Sequence, residues 1–99
     1  MTINTTRSEE KTTLAILGRL DTSTSPKLQE ALLSEFGIAK HIELDFAGLV
    51  YVSSAGLRVL LLGEKTAKAR GGRQTLINVS PDIAEVFEIT GFSRVLHFE

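Results

Sequence analysis

Residues 49–62 read LVYVSSAGLRVLLL, two apolar runs joined by a pair of serines. The first run is typical of a strand, and the second has the apolar spacing of a helix. At a helix start, about four backbone N–H groups lack partners and the peptide dipoles leave a partial positive charge. A hydroxyl there can cap the helix or, where it is exposed, carry a phosphate. We expect the helix to begin at about Ser54, whose hydroxyl would then supply the cap oxygen.

The chain before this joint predicts a hairpin and a helix. Residues 3–7 and 12–17 are β-branched and apolar and flank a charged turn, which indicates two antiparallel strands. Ser25 and Pro26 pair a capping residue with the proline that is favoured at the first helical position. Gly37 stands where a glycine commonly ends a helix. The first helix is therefore expected between these two signals.

The remaining chain predicts three further strands, at residues 41–46, 74–79 and 94–98. Ser80, followed by a proline, predicts the start of a third helix. The order is ββαβαβαβ, an alternation that requires parallel strands joined by crossover helices, with the hairpin adding an antiparallel edge. We therefore expect one α/β domain over residues 1–99, with amphipathic helices packed on a mixed β-sheet.

Composition excludes several classes of function. The 99 residues include 11 Lys plus Arg and 12 Asp plus Glu, a formal net charge of −1, which lacks the basic excess of most nucleic-acid-binding domains. No apolar run approaches the ~20 residues that a membrane span needs, and no signal region opens the chain. Cysteine is absent, so disulfides and thiolate metal sites are excluded. These features predict a cytoplasmic protein with no membrane span and no nucleic-acid partner.

Catalytic sites find little support in the chain. Residues 52–56, VSSAG, depart from the G-x-S-x-G pattern of a serine hydrolase, and a catalytic base could come only from His41 or His97. A phosphate-binding loop would need several glycines and a lysine, whereas this joint has Gly56 alone. The two histidines are isolated from other metal-ligating residues. We therefore predict no enzyme, no metal site and no cofactor.

For three residues, a structural role explains the sequence as well as a functional role does. Asp21 follows the second strand and can serve as a turn residue. Leu57 and Leu61 lie one helical turn apart on the charged side of the second helix. They either pack beneath a neighbouring helix, which we favour, or form an apolar spot for a partner.

Residues 42–61, IELDFAGLVYVSSAGLRVLL, resemble the signature of the STAS domain found in bacterial anti-sigma factor antagonists. Residues 18–32, GRLDTSTSPKLQEAL, resemble the segment that precedes the first helix of that family. Residues 79–98, VSPDIAEVFEITGFSRVLHF, resemble its third helix and last strand. The resemblance covers nearly the whole chain, and the order of its motifs is more specific than any single motif.

The resemblance implies a phospho-switched binding module. In that family, an anti-sigma factor with serine kinase activity phosphorylates a serine at the start of the second helix. The unphosphorylated form binds this kinase and frees a sigma factor, and a PP2C-type phosphatase resets the switch. Alignment on Gly56 and Leu57 places the phosphoserine at Ser54. The partner-binding residues implied by the resemblance are Asp21, Thr22, Ser53, Ala55, Gly56, Leu57 and Arg58.

The chain departs from the family pattern at two positions. Ser53 stands where many members have Asp, and Ala55 stands where many have a second Ser or Thr, so Ser53 is the alternative phosphorylation site. The family commonly adds a helix after the last strand, for which the residues up to Glu99 leave little room. An alternative function is a non-phosphorylated STAS scaffold subunit of a transport or sensory assembly. We expect Asp21 to lie near Ser54 and to contribute little to stability.

Overall fold

A computed structural model describes residues 1–99. Five strands and three α-helices alternate, and a short 3₁₀ turn (Phe92–Arg94) follows the last helix. The strands are β1 (Thr2–Arg7), β2 (Thr12–Leu20), β3 (His41–Asp45), β4 (Leu49–Val52) and β5 (Arg73–Ile77). The helices are α1 (Ser25–Phe36), α2 (Ser54–Ala69) and α3 (Pro81–Thr90). The α/β class, the mixed sheet and the three helices are confirmed. None of the helices combines the length and apolar character of a membrane span.

The nine-residue strand β2 organises the sheet because it pairs with three other strands. On one side β1 runs antiparallel to it, with Thr2 opposite Leu17 and Arg7 opposite Thr12. On the other side its first half pairs parallel with β3 and its last residues pair parallel with β4. Strand β5 then pairs parallel with β3. The carboxyl ends of β2 and β4 therefore meet at one edge of the sheet.

Two elements differ from the sequence prediction. A turn after β3 leads to β4, a separate strand that the sequence prediction did not distinguish from the strand–helix joint. In this turn Gly48 lies against the side chain of Leu17. The prediction of a strand at residues 94–98 is wrong. The 3₁₀ turn includes the first of these residues, and a single bridge between Leu76 and Phe98 joins the segment to the sheet. The turn leaves too few extended residues to form a ladder.

The core is a single cluster of buried apolar side chains, to which the sheet and all three helices contribute. Helix α1 contributes Leu28, Leu32 and Phe36, which are at most 2% exposed. Leu57 is 5% exposed and belongs to the same cluster, so the interpretation that it packs within the fold is confirmed. Leu61 is half-buried. Helix α2 therefore buries a broader face than its charge pattern indicates.

Candidate partner-binding site at the start of helix α2

The two serines at the joint have different structural roles. Ser53 has extended backbone angles and precedes the helix, and its hydroxyl accepts a hydrogen bond from the backbone N–H of Gly56 at 3.4 Å. Its side chain therefore satisfies one of the unpartnered N–H groups of the first turn. Ser54 is the first residue of α2. The predicted start of the helix is confirmed, but the expectation that Ser54 supplies the cap oxygen is wrong.

Ser54 presents its side chain at the surface. The residue is exposed, and its backbone carbonyl accepts a hydrogen bond from Nε of Arg58 at 3.5 Å. Its hydroxyl makes no hydrogen bond within the protein. A hydroxyl at the first position of a helix lies beside unpartnered N–H groups and the positive end of the helix dipole. This position is therefore chemically suited to a group that becomes negatively charged.

The segment after β2 leaves the sheet beside this serine pair. Leu20 and Val52 are paired in the parallel ladder, and the backbone N–H of Ser53 donates to the carbonyl of Leu20 at 2.9 Å. Asp21 follows directly in the chain. The expectation that the Asp21 and Ser54 segments share one rim of the fold is thus met by the strand pairing.

Asp21 forms a dense set of hydrogen bonds inside its own turn. Its Oδ1 atom accepts from the backbone N–H groups of Ser23 at 3.0 Å and Thr24 at 3.1 Å, and from the Ser23 hydroxyl at 2.8 Å. The single hydrogen of the Thr24 hydroxyl is shared between the Arg19 carbonyl at 2.8 Å and Oδ1 at 3.1 Å. The Ser23 hydroxyl, followed by the Thr24 groups, holds the pKa of Asp21 below its ordinary value. Asp21 therefore organises the approach to α1, and this turn role argues against the small contribution to stability that we expected.

An open groove of about 600 Å³ runs between α1 and α2 beside the serine pair. Three residues of the predicted partner-binding set line it together: Thr22, Ala55 and Arg58. Arg58 is the one cation of its lining and Glu30 the one acid. The groove is the concave surface that a partner approaching Ser54 would meet.

Two residues of the predicted set do not offer side-chain contacts. Gly56 is buried, and a Cβ atom there would lie 2.7 Å from Cγ of Leu20 and 3.0 Å from Cγ2 of Val52. Its lack of a side chain therefore serves the packing of α2 against the sheet. Leu57 is part of the core. Both residues support the site from beneath.

Strand β4 exposes apolar side chains that the sequence reasoning missed. Val50 is 71% exposed and Tyr51 is 40% exposed, although the run they belong to is typical of a buried strand. Strand β4 pairs with β2 alone, and a register shift between Gly18 and Arg19 leaves Val50 without a partner in the ladder. The guanidinium of Arg19 lies 4.1 Å from the centre of the Tyr51 ring, a cation–π contact. Val50 and Tyr51 lie just before the serine pair in the chain and extend the surface available to a partner.

Comparison with a protein family agrees with the resemblance noted in residues 42–61. A family model described as "Mlab, STAS domain" matches residues 3–97. The match begins in β1 and extends past α3 and the 3₁₀ turn, and it includes the α2 start and the groove.

Sequence relatives carry the name anti-sigma factor antagonist. BtrV of Bordetella bronchiseptica, provisionally so named, is 43% identical over 56 residues, which are 57% of this chain and 48% of that protein. The chain thus matches about half the length of BtrV. The anti-sigma-B factor antagonist of Listeria monocytogenes is 28% identical over 95 residues, 94% of this chain and 82% of the relative.

Solved structures of the anti-sigma factor antagonist SpoIIAA from Bacillus share the fold. The unphosphorylated form has a TM-score of 0.79 at 20% identity, with 99% of this chain and 87% of that chain covered. The phosphorylated form has a TM-score of 0.77 at 21% identity, with 99% and 91% covered. The matched family model, the relatives and the shared architecture agree, and the chain belongs to the STAS domain family.

Proposed function

We propose that this protein is an anti-sigma factor antagonist that is switched by phosphorylation of Ser54. The observation that carries the proposal is the division of roles between the two serines. Ser53 is occupied as the helix cap, whereas the Ser54 hydroxyl is exposed and unbonded at the positive end of α2. The names of the relatives support the antagonist role. The same division favours Ser54 over Ser53 as the phosphate acceptor.

The unphosphorylated protein binds an anti-sigma factor with serine kinase activity. The γ-phosphoryl group of the ATP held by that kinase passes to Oγ of Ser54, ADP leaves, and the hydroxyl proton is lost. A PP2C-type phosphatase hydrolyses the ester with water, which restores the hydroxyl and releases phosphate. Each cycle adds and removes about −1.5 to −2 units of charge at one point of the surface.

This charge changes association rather than folding. The helix dipole stabilises a negative group at the first turn by ~0.3–1 kcal/mol, so the domain keeps its structure after modification. A kinase surface that carries acidic groups or a bound nucleotide meets like charge at the centre of the contact, which costs several kcal/mol. The groove residues Thr22, Ala55 and Arg58 lie beside this point and form the contact surface, together with the rim at Asp21 and Ser53.

Two substitutions at Ser54 test the switch. Titration calorimetry against the cognate kinase-like partner is expected to give near-native affinity for Ser54→Ala and a loss of binding for Ser54→Asp. Ser34→Asp, which adds the same charge at an exposed position of α1, is the matched control and should bind normally. Equal affinities for the two Ser54 variants would exclude a phospho-switch at this residue.

A second candidate function is a non-phosphorylated STAS scaffold subunit of a transport or sensory assembly. The description "Mlab" of the matched family, which does not mention a sigma factor, favours this alternative. Intact mass spectrometry after incubation with serine kinases from the same genome separates the two functions. A gain of one phosphate on the parent and none on Ser54→Ala supports the switch, whereas an unmodified parent supports the scaffold.

A further inference from the structure

Arg58 lies one helical turn after Ser54 and has no acidic partner. Its Nε atom is 3.5 Å from the backbone carbonyl oxygen of Ser54, and the residue is exposed. The four ion pairs of the protein involve other cations. Glu30, the one acid that lines the same groove, does not reach ion-pair distance. The guanidinium is therefore close to the Ser54 backbone and still available for an anion.

The other cations near this edge are already engaged. Arg19 lies over the Tyr51 ring at 4.1 Å, and its Nε is 3.8 Å from Oδ2 of Asp21. Lys27, in the first turn of α1, donates from Nζ to the carbonyl oxygen of Met1 at 3.3 Å. Arg19 would have to leave an aromatic ring and an acid, and Lys27 would have to leave the Met1 carbonyl, whereas Arg58 already lies against the backbone of Ser54.

We propose that Arg58 is the intramolecular partner of the phosphate on Ser54. This inference rests on the proposed function, in which Ser54 carries that phosphate. Side chains four residues apart are neighbours on a helix surface, and an acid that precedes a base in this spacing has the favourable orientation. A guanidinium also binds a phosphate with two parallel N–H donors. Arg58 then forms a charge-assisted contact with the phosphate.

The pairing gives phosphorylation a second effect on the groove. In the unmodified protein Arg58 lines the groove wall, where an approaching partner meets its positive charge. In the phosphorylated protein its charge is neutralised by the phosphate one turn away. Phosphorylation therefore removes a positive charge from the surface that the partner contacts and adds a negative charge at the start of α2. Arg58 is thus a positioning and specificity residue of the switch.

The test uses full-length protein with phosphoserine incorporated at position 54 during translation, so that no kinase is required. Phosphorus-31 NMR follows the second ionisation of the phosphate from pH 4 to 8. A nearby cation favours the dianion and lowers the phosphate pKa. Arg58→Gln is therefore expected to raise that pKa by about 0.2–0.4 pH unit, from the strength of a helical pair four residues apart. Arg58→Lys, which keeps the charge, should give a smaller change.

Arg70→Gln, at the opposite end of α2, removes the same charge and is the matched control. Glu30 and Asp21, the carboxylates on the neighbouring segments, are present in every variant. A second readout is the Nε–H resonance of Arg58, which should move when phosphoserine replaces serine. Coincident titration curves for the parent and Arg58→Gln, or an equal shift in Arg70→Gln, would overturn the inference. Because the phosphate is encoded, this result does not depend on whether a kinase modifies Ser54.

Discussion

The hydroxyl of Ser53 accepts the backbone N–H of Gly56 at 3.4 Å and so closes the first turn of α2. The capping role and the exposed hydroxyl therefore belong to different serines. Ser53 is required by the helix, and Ser54 is available for chemistry without loss of a cap. This separation lets stability and switching be changed independently by mutation.

Alanine substitutions at the two serines are expected to change stability by different amounts. Ser53→Ala removes the cap oxygen and is expected to lower the free energy of unfolding by ~0.5–2 kcal/mol. Ser54→Ala removes an exposed hydroxyl at a helical position and should change it by less than about 0.5 kcal/mol. Urea denaturation followed by circular dichroism measures both. A larger loss for Ser54→Ala than for Ser53→Ala would contradict the assigned cap.

Asp21 is expected to be important for stability as well as for the rim. Asp21→Ala removes the oxygen that accepts three hydrogen bonds from Ser23 and Thr24, so its melting temperature should fall clearly. Thr22→Ala, a neighbour that is exposed and makes no side-chain hydrogen bond, is the control and should melt close to the parent. Differential scanning calorimetry gives both values. An unchanged melting temperature for Asp21→Ala would contradict this contribution to stability and would leave partner binding as the role of Asp21.

Gly56 is expected to tolerate no side chain, because an added Cβ would overlap Leu20. Gly56→Ala should lower the free energy of unfolding by about 1–3 kcal/mol, the usual effect of overpacking. Leu20→Ala opens the same space and is destabilising alone, since Leu20 is fully buried. The double variant should therefore lose less than the sum of the two single losses. Strict additivity, measured by chemical denaturation, would show that the two positions do not contact.

The stability that the ion pair between Arg7 and Glu35 contributes is expected to be lost in acid. Arg7 donates from Nε at 3.1 Å and from Nη2 at 2.6 Å to the two oxygens of the buried Glu35 carboxylate. These bonds and the guanidinium charge lower the pKa of Glu35 from its ordinary 4.5. The stabilisation is therefore complete above that ordinary value and is lost as pH falls through the lowered one.

Melting temperature measured between pH 7 and pH 3 tests this pair. Glu35→Gln should be less stable than the parent at neutral pH, and the difference should shrink as the solution is acidified. Glu9→Gln, an exposed residue of the β1–β2 turn without an ion pair, should follow the parent at every pH. Parallel curves for the parent and Glu35→Gln would exclude the pair as a source of acid sensitivity.

Local signals in the sequence were sufficient for much of the fold. Pro26 lies in the first turn of α1 and Gly37 follows its last residue. The helix begins one residue earlier than the capping role expected of Ser25 predicts, because Ser25 is itself helical. Ser80 caps α3 through a hydrogen bond from the backbone N–H of Ile83, and Gly91 ends α3 at a φ of +81°. Each signal acts within a few residues of its own position. The start of α2 at Ser54 was predicted for the same reason.

The amino-acid sequence by itself determined the α/β alternation, the helix limits and the serine pair at the start of α2, because apolar periodicity and caps are local properties of the chain. Only the tertiary structure decided that Leu57 and Gly56 face the core and that β4 leaves Val50 exposed. These outcomes depend on contacts between distant segments, such as Gly56 with Leu20. No local pattern specifies them, because they arise when β2 pairs with β3 along its first half and with β4 at its last residues.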